Sequence, residues 1–253
     1  MTDAVEHLGT RASARSRAGS LVGIGVGPGD PQLITVKGRD ALLAADVIFV
    51  PVSVTSPPDE PGYAERVVLA HVPHATPITR LPFELDEDAR EDSWRAAAAA
   101  VAEVVTDGRT AAFATIGDPN VYSTFTYLAA EVRSVAPDVV VATIPGITAM
   151  QDLAARSGTV LVEHEEVLTL VPITVGVDAV RDALTGSDTL VLYKGGRQLP
   201  EIRAVLEEAG VLDRAVFGAR LGLSGQDVRD HVPSEAAPYL STIIIPPDRR
   251  ASS

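Results

Sequence analysis

The sequence predicts an α/β protein made of two α/β domains. Short apolar runs alternate with amphipathic helical stretches up to residue 145, which is the signature of parallel strands joined by helices. The alternation restarts after Pro145-Gly146 and runs to residue 246, so a second unit follows the first. At 253 residues the chain is long enough for one large core or two small ones. The expected divisions are a flexible tail over 1–19, one α/β domain over 20–144 and another over 155–246.

Residues 1–19 are rich in Ser, Ala and Arg and lack apolar periodicity. Order is expected to begin with the buried strand from Ser20 to Gly27, which stops at Pro28-Gly29-Asp30-Pro31. A helix follows with Thr35 as its N-cap and Ala41, Leu42 and Ala45 toward the core. Val47 to Val50 is the next strand, and the proline-rich stretch 53–62 is a surface loop. Tyr63 to Val72 reads as a helix and Thr76 to Leu81 as a strand.

The clearest helix is Asp88 to Thr106, where Trp94, Ala97, Ala98, Val101, Val104 and Val105 recur at helical spacing. Asp88, Glu91 and Asp92 suit its positive end, Gly108 its other end, and the acidic run Glu84, Asp86, Glu87, Asp88 a solvated helix start. Thr110 to Thr115 is a strand, Tyr122 to Arg133 a helix and Asp138 to Thr143 a strand. The second unit opens with a helix from Pro145-Gly146 to Ala155. It continues with strands at Val167–Val171, Thr189–Tyr193, Ala215–Arg220 and Ser241–Ile245. Helices at Val177–Leu184 and Pro200–Glu208 separate them, and Pro246 to Ser253 reads as a frayed end.

Composition removes several function classes. Acidic residues outnumber basic ones 34 to 21, for a net charge of −13, which argues against a nucleic-acid binder. Aromatics at 4% disfavour a base-stacking platform. No apolar run is long enough for a membrane span or a signal core, so a cytoplasmic protein is expected. Cysteine is absent, which excludes disulfides and a cysteine nucleophile. The five histidines form no metal pair at helical spacing, and no metal site is expected. No G-x-S-x-G hydrolase signature occurs.

Ligands of a parallel α/β sheet bind beyond the carboxyl ends of its strands, and three glycine-bearing turns lie at such ends. Gly25-Val26-Gly27-Pro28-Gly29-Asp30 lacks the Rossmann spacing and any G-K-[ST], so by itself it is equally a tight turn. Ile116-Gly117-Asp118-Pro119 lets a ligand approach bare backbone at Gly117. Asp118 can accept bonds from ribose hydroxyls or cap the next helix. Pro145-Gly146-Ile147-Thr148-Ala149-Met150 leaves room against a helix N-terminus, or is a turn capped by Thr148.

Taken in this order, the three turns resemble those of the tetrapyrrole methylase superfamily over residues 20–246. The stretch from Gly117 to Leu128 is similar to the motif of the precorrin-2 C20-methyltransferases. Ser93-Trp94, Tyr193-Lys194-Gly195-Gly196-Arg197 and Glu207-Glu208-Ala209-Gly210 are similar too. Relatives acting on uroporphyrinogen III tend to carry Gly-Gly-Asp-Pro and Tyr-Met-Gly, and Ile116 and Lys194 depart from that pattern.

The resemblance implies two α/β domains with S-adenosyl-L-methionine in the cleft between them, and methylation of the C-20 meso carbon of precorrin-2 or cobalt-precorrin-2 in cobalamin (corrin ring) biosynthesis. It also implies a homodimer. Carried over residue by residue, it expects cofactor contacts at Pro28, Ile116, Gly117, Asp118, Ser123, Thr124, Thr148, Ala149, Lys194, Gly222 and Thr242. A tetrapyrrole polycarboxylate must bind an acidic protein, so local cations must receive it. The candidates are Arg66, Arg80, Arg95, Arg197 and Arg220, with Tyr122 also at the substrate. The rival readings are another corrin-ring or uroporphyrinogen III methylase and, from another class, a nucleotide-binding oxidoreductase or sensor.

Overall fold

The computed structural model describes residues 18–54, 57, 59–83 and 87–248. Most of the expected N-terminal tail, Glu84 and Asp86 of the acidic run, part of the 53–62 loop and the end after residue 248 lie outside the described residues.

The first sheet is wholly parallel. Its strands are β1 (Ser20–Gly25), β2 (Val47–Ser53), β3 (Ile78–Phe83), β4 (Thr110–Thr115) and β5 (Val140–Ile144), in the order β3-β2-β4-β1-β5. The intervening helices are α1 (Val36–Ala44), α2 (Tyr63–Leu69), α3 (Glu87–Thr106) and α4 (Phe125–Val135). Alternation along each strand sends neighbouring side chains to opposite faces. Ala111 and Phe113 of β4 therefore pack with Val101 of α3 and Leu128 of α4. Ala112 and Ala114 pack on the other face with Leu42 of α1 and Val67 of α2.

That division positions a crevice. β1 and β4 are neighbours in the sheet, yet β1 leads to α1 on one face and β4 to α4 on the other. The turns leaving these two strands diverge, which is the arrangement that opens a ligand crevice.

The second sheet is mixed. Its strands are β6 (Leu168–Pro172), β7 (Thr189–Tyr193), β8 (Val216–Ala219), β9 (Asp227–Arg229) and β10 (Ser241–Ile245), in the order β6-β7-β10-β8-β9. Only β6 and β7 run parallel; β10 is inserted antiparallel between β7 and β8, and β9 pairs antiparallel with β8. Helices α6 (Val177–Gly186) and α7 (Leu199–Glu208) share a core with Leu190, Leu192, Phe217 and Ile243 on one face. Helix α5 (Ala149–Ser157) covers the other face through Leu153 and Ala154, against Val191, Leu221 and Ile244.

Several expected boundaries shift for local reasons. The helix read from Tyr122 starts at Phe125, because Tyr122 has φ +50° and Ser123 Oγ accepts the Phe125 N–H at 3.1 Å. The helix read from Pro145-Gly146 starts at Ala149, with Thr148 in the N-cap position and Gln151 Oε1 reaching back to the Thr148 N–H at 2.8 Å. Helix α2 ends at Leu69, short of Val72. β9 has no sequence expectation at all; three residues carry too little periodicity to announce an edge strand. Thr35 caps α1 as expected, accepting the Gly38 N–H at 3.0 Å.

Leu153 is fully buried and is the main apolar tie between α5 and the second sheet. Leu153→Ala is expected to lower stability by about 2–5 kcal/mol, read as a drop in the urea midpoint with an unchanged slope. A loss under about 1 kcal/mol would mean that α5 is not held by this contact.

Candidate functional site

The three glycine turns meet backbone to backbone at the crevice. Gly117 N–H donates to the Gly27 carbonyl at 2.8 Å, and Val26 N–H to the Thr115 carbonyl at 2.9 Å. A Cβ on Gly25 would lie 2.5 Å from the Gly117 carbonyl oxygen and 2.6 Å from the Gly146 nitrogen. A Cβ on Gly146 would collide with the same Gly117 oxygen. Only glycine allows this approach.

The Asp118 carboxylate staples two of the turns together. One oxygen accepts the Gly146 N–H at 3.0 Å and the other the Asn120 N–H at 2.8 Å. The side chain considered for ribose hydroxyls or a helix cap thus joins the second turn to the third. Asn120 adds a second tie, Nδ2 to Thr143 Oγ1 at 3.2 Å.

Above this junction lies a cavity of about 290 Å3, near the lower bound of about 300 Å3 for small-molecule pockets. Of the cofactor residues expected from the sequence, all but Gly222 line it: Pro28, Ile116, Gly117, Asp118, Ser123, Thr124, Thr148, Ala149, Lys194 and Thr242. Gly117, at φ +72°, has nothing within 4 Å of where a Cβ would stand. Gly222 sits elsewhere. Its φ is +70°, and a Cβ there would collide with the Asp30 backbone, so it seats a loop of the second sheet against the first turn.

The second sheet supplies the opposite wall. The β7–β10 pairing sets Thr242 beside Tyr193, and Lys194 N–H bonds the Ser241 carbonyl at 3.1 Å. Tyr193, Ser241 and Leu240 line the cavity without having been expected from the sequence. The antiparallel partner that brings them there has no local sequence signal. The Ser241 hydroxyl is buried and has no hydrogen-bond partner. Burial pushes the Tyr193 phenol up from its ordinary value, opposed by smaller effects of its bonds to Thr148 and the Met150 N–H. It is therefore neutral at pH 7.

A larger groove of about 1080 Å3 adjoins the cavity and shares Tyr122, Ser123, Thr124, Lys194 and Tyr239 with it. Its far side carries Phe83, Trp94, Arg95 and Tyr127. Trp94 stacks edge-on with Phe83 at 5.5 Å and with Tyr127 at 4.7 Å. Tyr122 spans the two units, its hydroxyl donating to the Leu170 carbonyl at 3.0 Å.

The expected substrate cations divide. Arg95 lines the groove and pairs with Glu91 at 2.8 Å and Asp92 at 3.0 Å. Arg80 is held by the buried Glu65 at 2.8 Å and Arg66 by Glu60 at 2.5 Å, and neither lines the cavity or the groove. Arg197 is exposed and lines neither. Arg220, at φ +50°, lines the cavity.

S-adenosylmethionine suits the cavity: open space over Gly117 admits a ligand against bare backbone, and Tyr193 and Thr242, neighbours in register, close it from the second sheet. No helix among the described residues is long and apolar enough to cross a membrane.

Comparison with known proteins places this geometry among relatives. The family model described as tetrapyrrole (corrin/porphyrin) methylases matches residues 20–237. A precorrin-2 C(20)-methyltransferase of Sinorhizobium is 33% identical over 239 residues, covering 90% of this chain and 95% of that protein. A cobalt-precorrin-2 C(20)-methyltransferase of Salmonella typhimurium is 27% identical, covering 90% and 96%. The fold is that of the uroporphyrin-III C-methyltransferase of Thermus thermophilus complexed with S-adenosylhomocysteine. The TM-score is 0.63 at 21% identity, covering 89% of this chain and 96% of that one.

Asp118→Asn preserves size but turns one acceptor into a donor, so the Gly146 or the Asn120 N–H loses its partner. Stability should fall by about 1–3 kcal/mol, measured by urea unfolding. An unchanged midpoint would show that the carboxylate does not hold the turns together.

Proposed function

The chain belongs to the tetrapyrrole (corrin/porphyrin) methylase family, and from that premise we propose that it methylates the C-20 meso carbon of precorrin-2 or cobalt-precorrin-2 with S-adenosylmethionine, in cobalamin biosynthesis. One observation carries the reading. A cavity lined from both sheets over the three glycine turns shares a wall with a groove several times larger. The smaller space suits the methyl donor, and the larger one a macrocycle. The name of the Sinorhizobium relative, which aligns over nearly the full length of both chains, supports the choice of substrate.

The donor supplies a methyl group already activated by a cationic sulfur. The meso carbon of a reduced tetrapyrrole is electron-rich, so the chain need not provide a nucleophile. C-20 gains the methyl group and loses its hydrogen as a proton. The chain's part is to hold the two reactants in line and keep water out. The turn backbones at Ile116-Gly117 and Thr148-Ala149 would hold the donor from the first sheet's side, and Tyr193, Ser241 and Thr242 from the second's. Pro28, Val121, Leu221 and Leu240 line the rest and exclude water. The shared wall at Tyr122 and Lys194 would separate donor from ring. A homodimer acting in the cytoplasm is part of the same proposal.

The direct test supplies 13C-methyl-labelled S-adenosylmethionine with precorrin-2 and with its cobalt complex. Label should appear at C-20 of one of them by NMR. Label at another carbon, or on uroporphyrinogen III alone, would move the chain to a different branch of the family. Calorimetry should show binding of S-adenosylhomocysteine and none of NAD; the reverse would make the chain a nucleotide-binding protein of another class.

Gly117→Val fills the open space over the second turn. Affinity for S-adenosylhomocysteine should fall ten-fold or more, about 1.4 kcal/mol per decade. Valine at a positive φ also strains the backbone, so circular dichroism must show the variant folded at the assay temperature. Wild-type affinity in a folded variant would remove Gly117 from the site.

A further inference from the structure

We propose that the Lys194 ammonium anchors one peripheral carboxylate of the tetrapyrrole and so sets which meso carbon faces the methyl donor. The proposal rests on the methyltransferase reading above and assigns the Lys194 side chain to the substrate, while its backbone stays on the cofactor wall.

A polycarboxylate must bind a chain of net charge −13, so free cations at the site decide its orientation. Arg66 and Arg80 are paired with the chain's own Glu60 and Glu65, and Arg95 is shared between Glu91 and Asp92. Among the described residues lining the groove, the cations are Arg95 and Lys194, and only Lys194 stands outside an ion pair. Arg220 lines the inner cavity but not the groove.

Geometry holds that charge at the boundary. Lys194 Nζ lies 5.7 Å from the Tyr122 ring centroid and 5.8 Å from that of Tyr239. Two aromatic rings attract and position an ammonium without cancelling its charge. The Tyr122 ring is itself fixed by its bond to the Leu170 carbonyl. The Lys194 backbone, at φ +64°, is tied to Ser241. The result is a positioned point charge on the wall common to groove and cavity.

A tetrapyrrole ring presents several similar meso carbons and carries carboxylates around its rim. Shape alone discriminates poorly among rotations of such a ring about its own normal. One fixed cation at the rim raises the population of the rotation that brings a carboxylate to it. A lysine suits a flexible acetate or propionate arm, because its donors carry no fixed fork geometry.

The test uses Lys194→Gln and Lys194→Arg in the full chain. At saturating S-adenosylmethionine, Lys194→Gln should raise the KM for precorrin-2 or its cobalt complex ten-fold or more. Lys194→Arg should recover most of that loss. The Kd for S-adenosylhomocysteine should stay within two-fold of wild type in both. Unchanged KM, or KM and cofactor Kd rising together, would overturn the anchor.

A second readout does not need turnover. The chain has a single tryptophan, and Trp94 lines the groove, so its quenching reports binding of the stable polycarboxylate uroporphyrin. Weaker quenching titrations for Lys194→Gln, restored in Lys194→Arg, support the anchor even if wild type fails to methylate precorrin-2, in which case only the substrate assignment falls. Equal titrations for Lys194→Gln and wild type, or no quenching in wild type, would overturn the anchor.

Discussion

The close contact of three glycine turns is the constraint on which the rest of the structure depends. Gly25, Gly117 and Gly146 touch with no room for a Cβ at the first or third, and the Asp118 carboxylate ties the second turn to the third. The carboxyl ends of β1 and β4 and the exit from β5 are thereby held at one point. Gly146 also lies just before α5, the helix that covers the second sheet. The junction therefore sets both the floor of the cavity and the place from which the second unit departs. Backbone rather than side chains forms that floor, which lets a ligand approach the chain closely.

The second unit reaches back to the same point by other means. Gly222 seats its loop on Asp30, Arg156 of α5 approaches Asp30 at 3.9 Å, and the Tyr122 hydroxyl bonds the Leu170 carbonyl. Tyr122, Lys194 and Arg220 all have positive φ and all line the one cavity. Non-glycine residues in that region are strained, and such strain tends to gather at functional sites. Lys194 and Arg220 directly follow β7 and β8, and Tyr122 lies just before α4.

Electrostatics follows from composition more than from placement. With acids in excess, most arginines among the described residues find carboxylates of the chain's own: Arg39, Arg66, Arg80, Arg95, Arg109, Arg156, Arg181, Arg203 and Arg229 all do. Apart from Arg80 and Arg156, whose partners Glu65 and Asp152 are buried, these pairs are largely exposed and contribute little stability, about 0–1 kcal/mol each. Their larger effect is to remove those cations from the pool available to an anionic ligand.

The sequence by itself determined the strand–helix alternation, the strands Thr110–Thr115, Thr189–Tyr193 and Ser241–Ile245 to the residue, and the three turns. Buried strands and amphipathic helices write their periods into the chain, and glycine at a strand end marks a place where a Cβ cannot stand. Only the tertiary structure decided how the turns combine. That Asp118 bonds Gly146 rather than capping its own helix depends on two strands lying side by side with their helices on opposite faces. That Tyr193 and Ser241 share a cavity wall depends on β10 entering antiparallel between β7 and β8, a pairing of distant segments that no local pattern encodes. The pairing of the arginines is a tertiary matter for the same reason. Loop proximity is legible in a sequence, but whether a guanidinium is already paired depends on which carboxylate the fold brings to it.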